Sequence, residues 1–172
     1  MTPAEFKSRF ISLLPDDIPD DLDLGLDAFV LFPAARAATL RIPDADRAFL
    51  TDSGLPEDAA PFFSFGLDPE RALMPLDEFP DSVMIGHNGC GDAICVDQAA
   101  GGAVVYYNHD NHMQRILMNS SISTFAASLC AYSSFMRTKD ADAFRNDIST
   151  IDPAASGAGS FWLSEMENEL AM

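Results

Sequence analysis

Phe6, Phe10, Leu13 and Leu14 recur at spacings of three and four residues behind Thr2-Pro3-Ala4-Glu5. That spacing puts them on one face of a helix. Thr2 is placed to cap it, Pro3 to occupy its first turn and Glu5 to close a capping box. Pro15 should stop it, because proline cannot donate the next backbone hydrogen bond. A second helix is predicted over Pro43–Ser53. Ala45, Ala48, Phe49 and Leu50 would be its buried face, and Gly54 would take the left-handed position just past its end. Phe29-Val30-Leu31-Phe32 fits strand or helix equally well.

The period then changes. Phe62–Phe65, Ser82–Gly86, Ala93–Asp97, Ala103–Asn108 and Arg115–Asn119 are short, apolar and separated by turn residues. Gly86, Gly89 and Gly91 would ease one tight connection, and Ala99-Ala100-Gly101-Gly102 another. Gaps this short leave no room for crossover helices, so neighbouring strands should pair antiparallel. Helical spacing returns at Ile122, Phe125, Leu129, Tyr132 and Met136, with Ser120 or Ser121 as N-cap. Asp152–Ser160 reads as a linker of small residues, and Phe161–Leu170 as a last amphipathic helix carrying Phe161, Trp162, Met166 and Leu170. Helices flanking a run of strands imply an α+β fold. Its sheet should be largely antiparallel, with a mixed arrangement left open, and have about five or six short strands between N- and C-terminal helices. The length of 172 residues suits one domain. Residues 1–41 would supply a helix and an acidic extension, and residues 42–172 the core.

Charge narrows the choice of partner. The chain has 27 Asp and Glu against 10 Lys and Arg, a formal net charge of −17. Residues 1–100 carry net −13 and residues 101–172 net −4. Such a surface repels phosphate backbones and anionic leaflets, which disfavours direct nucleic-acid and membrane binding. A basic protein is the partner it would attract. Three cysteines without a CxxC pair fit a reducing compartment. With no signal peptide or spanning segment recognisable, the expected location is cytoplasmic.

His87, Cys90, Cys95, His109 and His112 are the residues that could hold a metal or supply a Cys/His pair. The CxxC knuckle is missing and strand alternation points these groups to opposite faces, so no metal and no cofactor are expected. The glycines at 86, 89 and 91 match no phosphate-binding pattern, since Asp92 follows them and the next segment reads as strand. Of the adjacent Tyr106 and Tyr107, alternation leaves one for each face of the sheet. One exposed tyrosine on an uncovered face would make an interface anchor.

Several segments, in order, resemble one superfamily. Ile42-Pro43, Phe49-Leu50 and Gly54-Leu55-Pro56 resemble the opening of SUKH domains, the group of the yeast cell-wall assembly regulator and many bacterial toxin-immunity proteins. Ile85-Gly86 with Gly91-Asp92-Ala93-Ile94-Cys95-Val96-Asp97 resembles its central hairpin. Gly102–Tyr107, Asn119-Ser120-Ser121 with Phe125, and Asp152-Pro153 with Phe161-Trp162 resemble its later landmarks. The resemblance implies an α+β fold, no catalytic residues and a binding role, often against a secreted nuclease toxin. The reading is therefore a non-catalytic immunity protein that meets a basic toxin domain. A general regulatory interaction module is the alternative, and a metal-dependent hydrolase using the His/Cys set a weaker one. The acidic surface expected to face the partner comprises Asp44, Asp46, Glu57, Asp58, Asp77, Glu78 and Asp81, with the Asp16–Asp27 run as a competing patch.

Overall fold

The computed structural model describes residues 1–15 and 24–172. Helix α1 spans Pro3–Ser12, and its capping box is closed: Glu5 N donates to Thr2 Oγ1 and Thr2 N to the Glu5 carboxylate. Phe6 and Phe10 are its buried residues. Strand β1 (Phe29–Val30) pairs antiparallel with β2 (Leu55–Pro56), so the first half of the 29–32 segment is strand and Leu31 and Phe32 lie beyond it. Between them lie α2 (Ala34–Ala37) and α3 (Asp44–Ala48).

The predicted 43–53 helix exists but widens into a π-turn over Phe49–Ser53. Its buried face is also rotated from the expected one. Asp46, Phe49 and Leu50 are buried, Ala48 is half-buried and Ala45 is exposed. The rotation aims the Asp46 carboxylate at Ser123 N, 3.1 Å away, where it satisfies an amide at the start of a later helix. Gly54 ends the turn at φ 70° and ψ −162°, a region only glycine occupies readily. A Cβ there would lie 2.0 Å from Val30 O, so β1 can pass only because the side chain is missing.

Six strands follow: β3 (Asp58–Ala59), β4 (Phe63–Ser64), β5 (Ser82–Asn88), β6 (Ala93–Asp97), β7 (Ala103–Asn108) and β8 (Gln114–Asn119). They form one sheet in chain order, and every neighbouring pair is antiparallel. Gly86 sits inside β5, at a register shift, and β5 runs two residues past the expected end of the Ser82–Gly86 strand. A Cβ on it would fall 2.6 Å from the Phe65 ring.

One face of this sheet presents Val83, Ile85, Ile94, Val96 and Val104 to the main core. Helix α4 (Ile122–Thr138) covers it with Ile122, Phe125, Leu129 and Tyr132, capped by Ser121. Helices α5 (Ala141–Ile151) and α6 (Phe161–Ala171) complete the layer. Trp162 is fully buried and meets Phe63, Phe125 and Tyr132 at ring distances of 6.1, 6.1 and 5.8 Å.

The opposite face is not left open. Met84, Cys95, Val105 and Tyr107 pack under Leu67, Leu76 and Phe79 from the β4–β5 connection. Phe79 stacks on Tyr107 at 4.1 Å, and the Tyr107 hydroxyl lies 2.7 Å from Ser82 Oγ. Arg36 Nη1 holds this cover by donating to the carbonyls of Pro69, Glu70 and Ala72. The two tyrosines do take opposite faces, but Tyr107 is buried and Tyr106 packs on Phe161 at 5.6 Å. Neither is the free anchor the sequence left open. Among the described residues no helix is long and apolar enough to cross a membrane.

Candidate functional site

Three sequence landmarks that lie far apart meet in one buried polar network. Asp152 Oδ2 accepts from Ser120 N at 2.6 Å and Asn119 Nδ2 at 3.2 Å, and its Oδ1 accepts from Ser120 Oγ at 2.9 Å. Thr124 Oγ1 and Ala154 N donate to the same carboxylate, each at 3.2 Å. Asn119 Nδ2 also donates to Ser128 Oγ, while its Oδ1 receives Trp162 Nε1 at 2.8 Å. Burial alone would raise the Asp152 pKa, but these donors outweigh it and hold the carboxyl below the usual range. The network joins β8, α4, α5 and α6. All of its named groups are satisfied inside the protein, so its chemistry is structural.

The His/Cys set is scattered. Cys95 is fully buried in the second apolar cluster, where burial pushes its thiol up to about 12. Cys90 is exposed on the β5–β6 turn, whose shape is held by Asn88 Oδ1 accepting from Cys90 N and Asp92 N. His109 Nδ1 sits 2.5 Å from Asp92 Oδ1, a contact that raises the imidazole pKa. The one hydrogen bond of the His87 ring among the described residues is to the neighbouring Asn88 carbonyl, and His112 lies in the β7–β8 turn at φ 52°. Among the described residues no group of three or more His, Cys, Asp or Glu is placed to hold a metal ion.

The acidic residues fall into three groups and one exception. Asp44 and Asp81 are exposed but paired, with Arg47 and Arg41. Asp77 and Glu78 are exposed on the cover segment before β5 and have no ion pair among the described residues. Glu57 and Asp58 are exposed at the β3 edge, beside the far end of β5. Seven residues of strand separate those ends, on the order of 20 Å. Asp46 must be withdrawn from the surface, because it is 2% exposed and occupied at the α4 N-terminus. Burial raises its pKa, and the backbone amides of Ser123 and Ile122 oppose that shift. Of the competing 16–27 run, residues 16–23 lie outside the described residues.

The clearest outward-facing apolar feature lies elsewhere. Phe62 closes the three-residue turn from β3 to β4 and is 67% exposed, the one aromatic among the described exposed large hydrophobic side chains. A groove of about 690 Å³ lies on one side of it, lined by Phe10, Leu13, Ala60 and Met136, with Asp58 and His87 also present. A second depression of about 410 Å³ shares Phe62, Asn88 and Gly89 with it and is also lined by Cys90, Phe161 and Glu165.

A family model described as SUKH-4 immunity protein matches residues 21–168. The chain belongs to the SUKH-4 immunity protein family. Neither curated proteins nor solved structures give a match. The resemblance read from the sequence therefore holds at the level of the superfamily, and the antiparallel α+β architecture agrees with it.

In this SUKH-4 chain the landmarks themselves are internal. Gly54 makes room for β1, and Asn119, Asp152 and Trp162 lock helices to the sheet. Phe62 was missed as an outward residue, although its signal was present: with Phe63 and Phe65 buried, alternation turns Phe62 outward. Glu165 had no such signal. It lies between buried Trp162 and Met166 on α6, and only the packing of α6 beside the β5–β6 turn brings it to the depression.

Proposed function

We propose that this protein is an immunity protein that neutralises a toxin by binding it, with no catalysis of its own. The family match over residues 21–168 carries this reading. The interior chemistry supports it, since the buried Asp152 carboxylate is fully occupied by structural donors. The finer reading is a basic toxin domain, such as a nuclease, met in the cytoplasm. A nuclease must attract phosphates, so its cleft is positive. The net charge of −17 supplies the complementary field. Asp77, Glu78 and Asp81 on one side and Glu57 and Asp58 on the other would steer encounter more than they hold the complex. The absence of disulfides among Cys90, Cys95 and Cys130 is compatible with a reducing compartment.

Co-expression with a toxin domain, taken from the neighbouring gene where that gene encodes one, tests the reading. Protection of growth, together with co-elution of the two chains, is the expected result. Growth arrest despite normal levels of folded protein, with no co-elution, would overturn it.

A further inference from the structure

We propose that Phe62 and Glu165 form the contact point for the toxin, gripping an arginine or lysine of a basic partner beside one of its apolar side chains. The proposal rests on the toxin-binding reading and adds where the partner sits and what it must present.

Phe62 lines both depressions, so an apolar partner side chain seated in either one also touches this residue. Its base is held from behind by the β5–β6 turn. At Gly89 a Cβ would lie 3.1 Å from Phe62 Cβ, so the turn backbone comes closer there than a side chain would comfortably allow. An aromatic ring that is exposed but fixed at its root loses little freedom when covered, which suits an interface anchor.

Glu165 decides the kind of partner. It is the one charged group lining the smaller depression among the described residues, and its side chain has no hydrogen bond or ion pair there. Burial against Phe161 and its neighbours raises its carboxyl pKa with nothing to offset the shift. Glu169, on the same helix, already has a counter-charge in Lys139, which Glu165 lacks among the described residues. A purely apolar partner would strip more water from Glu165 and make the cost worse. A guanidinium or ammonium group would supply the missing counter-charge and, over the Phe62 ring, a cation–π contact.

The test uses the full chain and a catalytically disabled toxin domain from the neighbouring gene, titrated by calorimetry. Phe62→Ala should weaken binding by about thirtyfold or more, chiefly through faster dissociation, as for a central aromatic anchor. Its thermal midpoint should stay near that of the wild type, because the ring is mostly solvent-exposed. Glu165→Gln should weaken binding by about tenfold, and Glu165→Arg should weaken it further. Unchanged affinity in both Phe62→Ala and Glu165→Gln, with wild type binding well, would overturn the proposal alone. Tighter binding by Glu165→Gln would also overturn it, since it would mean an apolar occupant. Failure of the wild type to bind the toxin at all would remove the functional reading and this proposal together.

Discussion

Replacing Asp152 with alanine should be among the most damaging single changes outside the apolar core. Its carboxylate accepts from five groups: Asn119 Nδ2, Ser120 N, Ser120 Oγ, Thr124 Oγ1 and Ala154 N. At about 1.5–3 kcal/mol for each charge-assisted bond, a simple sum would rival the whole stability of a domain, so the bonds cannot be additive. The geometry says which losses persist. Asn119 Nδ2 keeps Ser128 Oγ, and Thr124 Oγ1 keeps the Ser121 carbonyl at 3.1 Å. Ser120 N has no second acceptor in view, and removing the carboxylate also relieves its own burial. A net loss of about 3 kcal/mol follows, close to that for breaking a buried charged contact. In a chain of this size that lowers the thermal midpoint by about 6–12 °C. Calorimetry at pH 7 on wild type, Asp152→Ala and Asp152→Asn would measure it, with Asn recovering part of the loss. The sign with pH is also fixed. The folded pKa lies below the unfolded one, so the contribution is full above the unfolded value, near pH 4, and is lost as pH falls through the folded value. The gap between wild type and Asp152→Ala should therefore be flat from pH 7 to about 5 and close below about 4. A midpoint unchanged at pH 7, or a gap that widens in acid, would refute the reasoning.

Trp162→Ala should cost about 3–5 kcal/mol, because it empties a fully buried site; Trp162→Phe should cost less and report the lost bond to Asn119, both read from denaturant midpoints. Gly54→Ala should destabilise by well over the roughly 1–3 kcal/mol of backbone strain alone, since the new Cβ would overlap Val30 O; expression and thermal melting would show it. Toxin association should slow markedly between about 0.05 and 0.5 M salt as the Debye length shrinks to a few ångströms, with dissociation changing less in stopped-flow traces. Lysines at Asp77 and Glu78 should slow association in the same way while leaving the melting curve near wild type, both being exposed and unpaired among the described residues.

Local chemistry alone determined much of this protein. The capping box at Thr2 and Glu5, the strands at 93–97 and 103–108, and the helix beginning after Ser121 all depend on near neighbours, and each is found where the pattern put it. The Gly54 stop is of the same kind. Helix α5 was not read, although Ala141, Phe144, Ile148 and Ile151 recur at helical spacing and pack on the core. Asp152 looked like part of a loose linker, since its five donors come from residues as far back as Asn119. Asp46 looked like one more surface acid until the helix it caps, some 77 residues later in the chain, folded against it. Whether an acidic or aromatic side chain faces water or a partner group is decided by which distant element packs on it. That packing covered Tyr107, buried Asp46 and brought Phe62 and Glu165 to one depression, a pairing that 102 intervening residues hid from any local pattern.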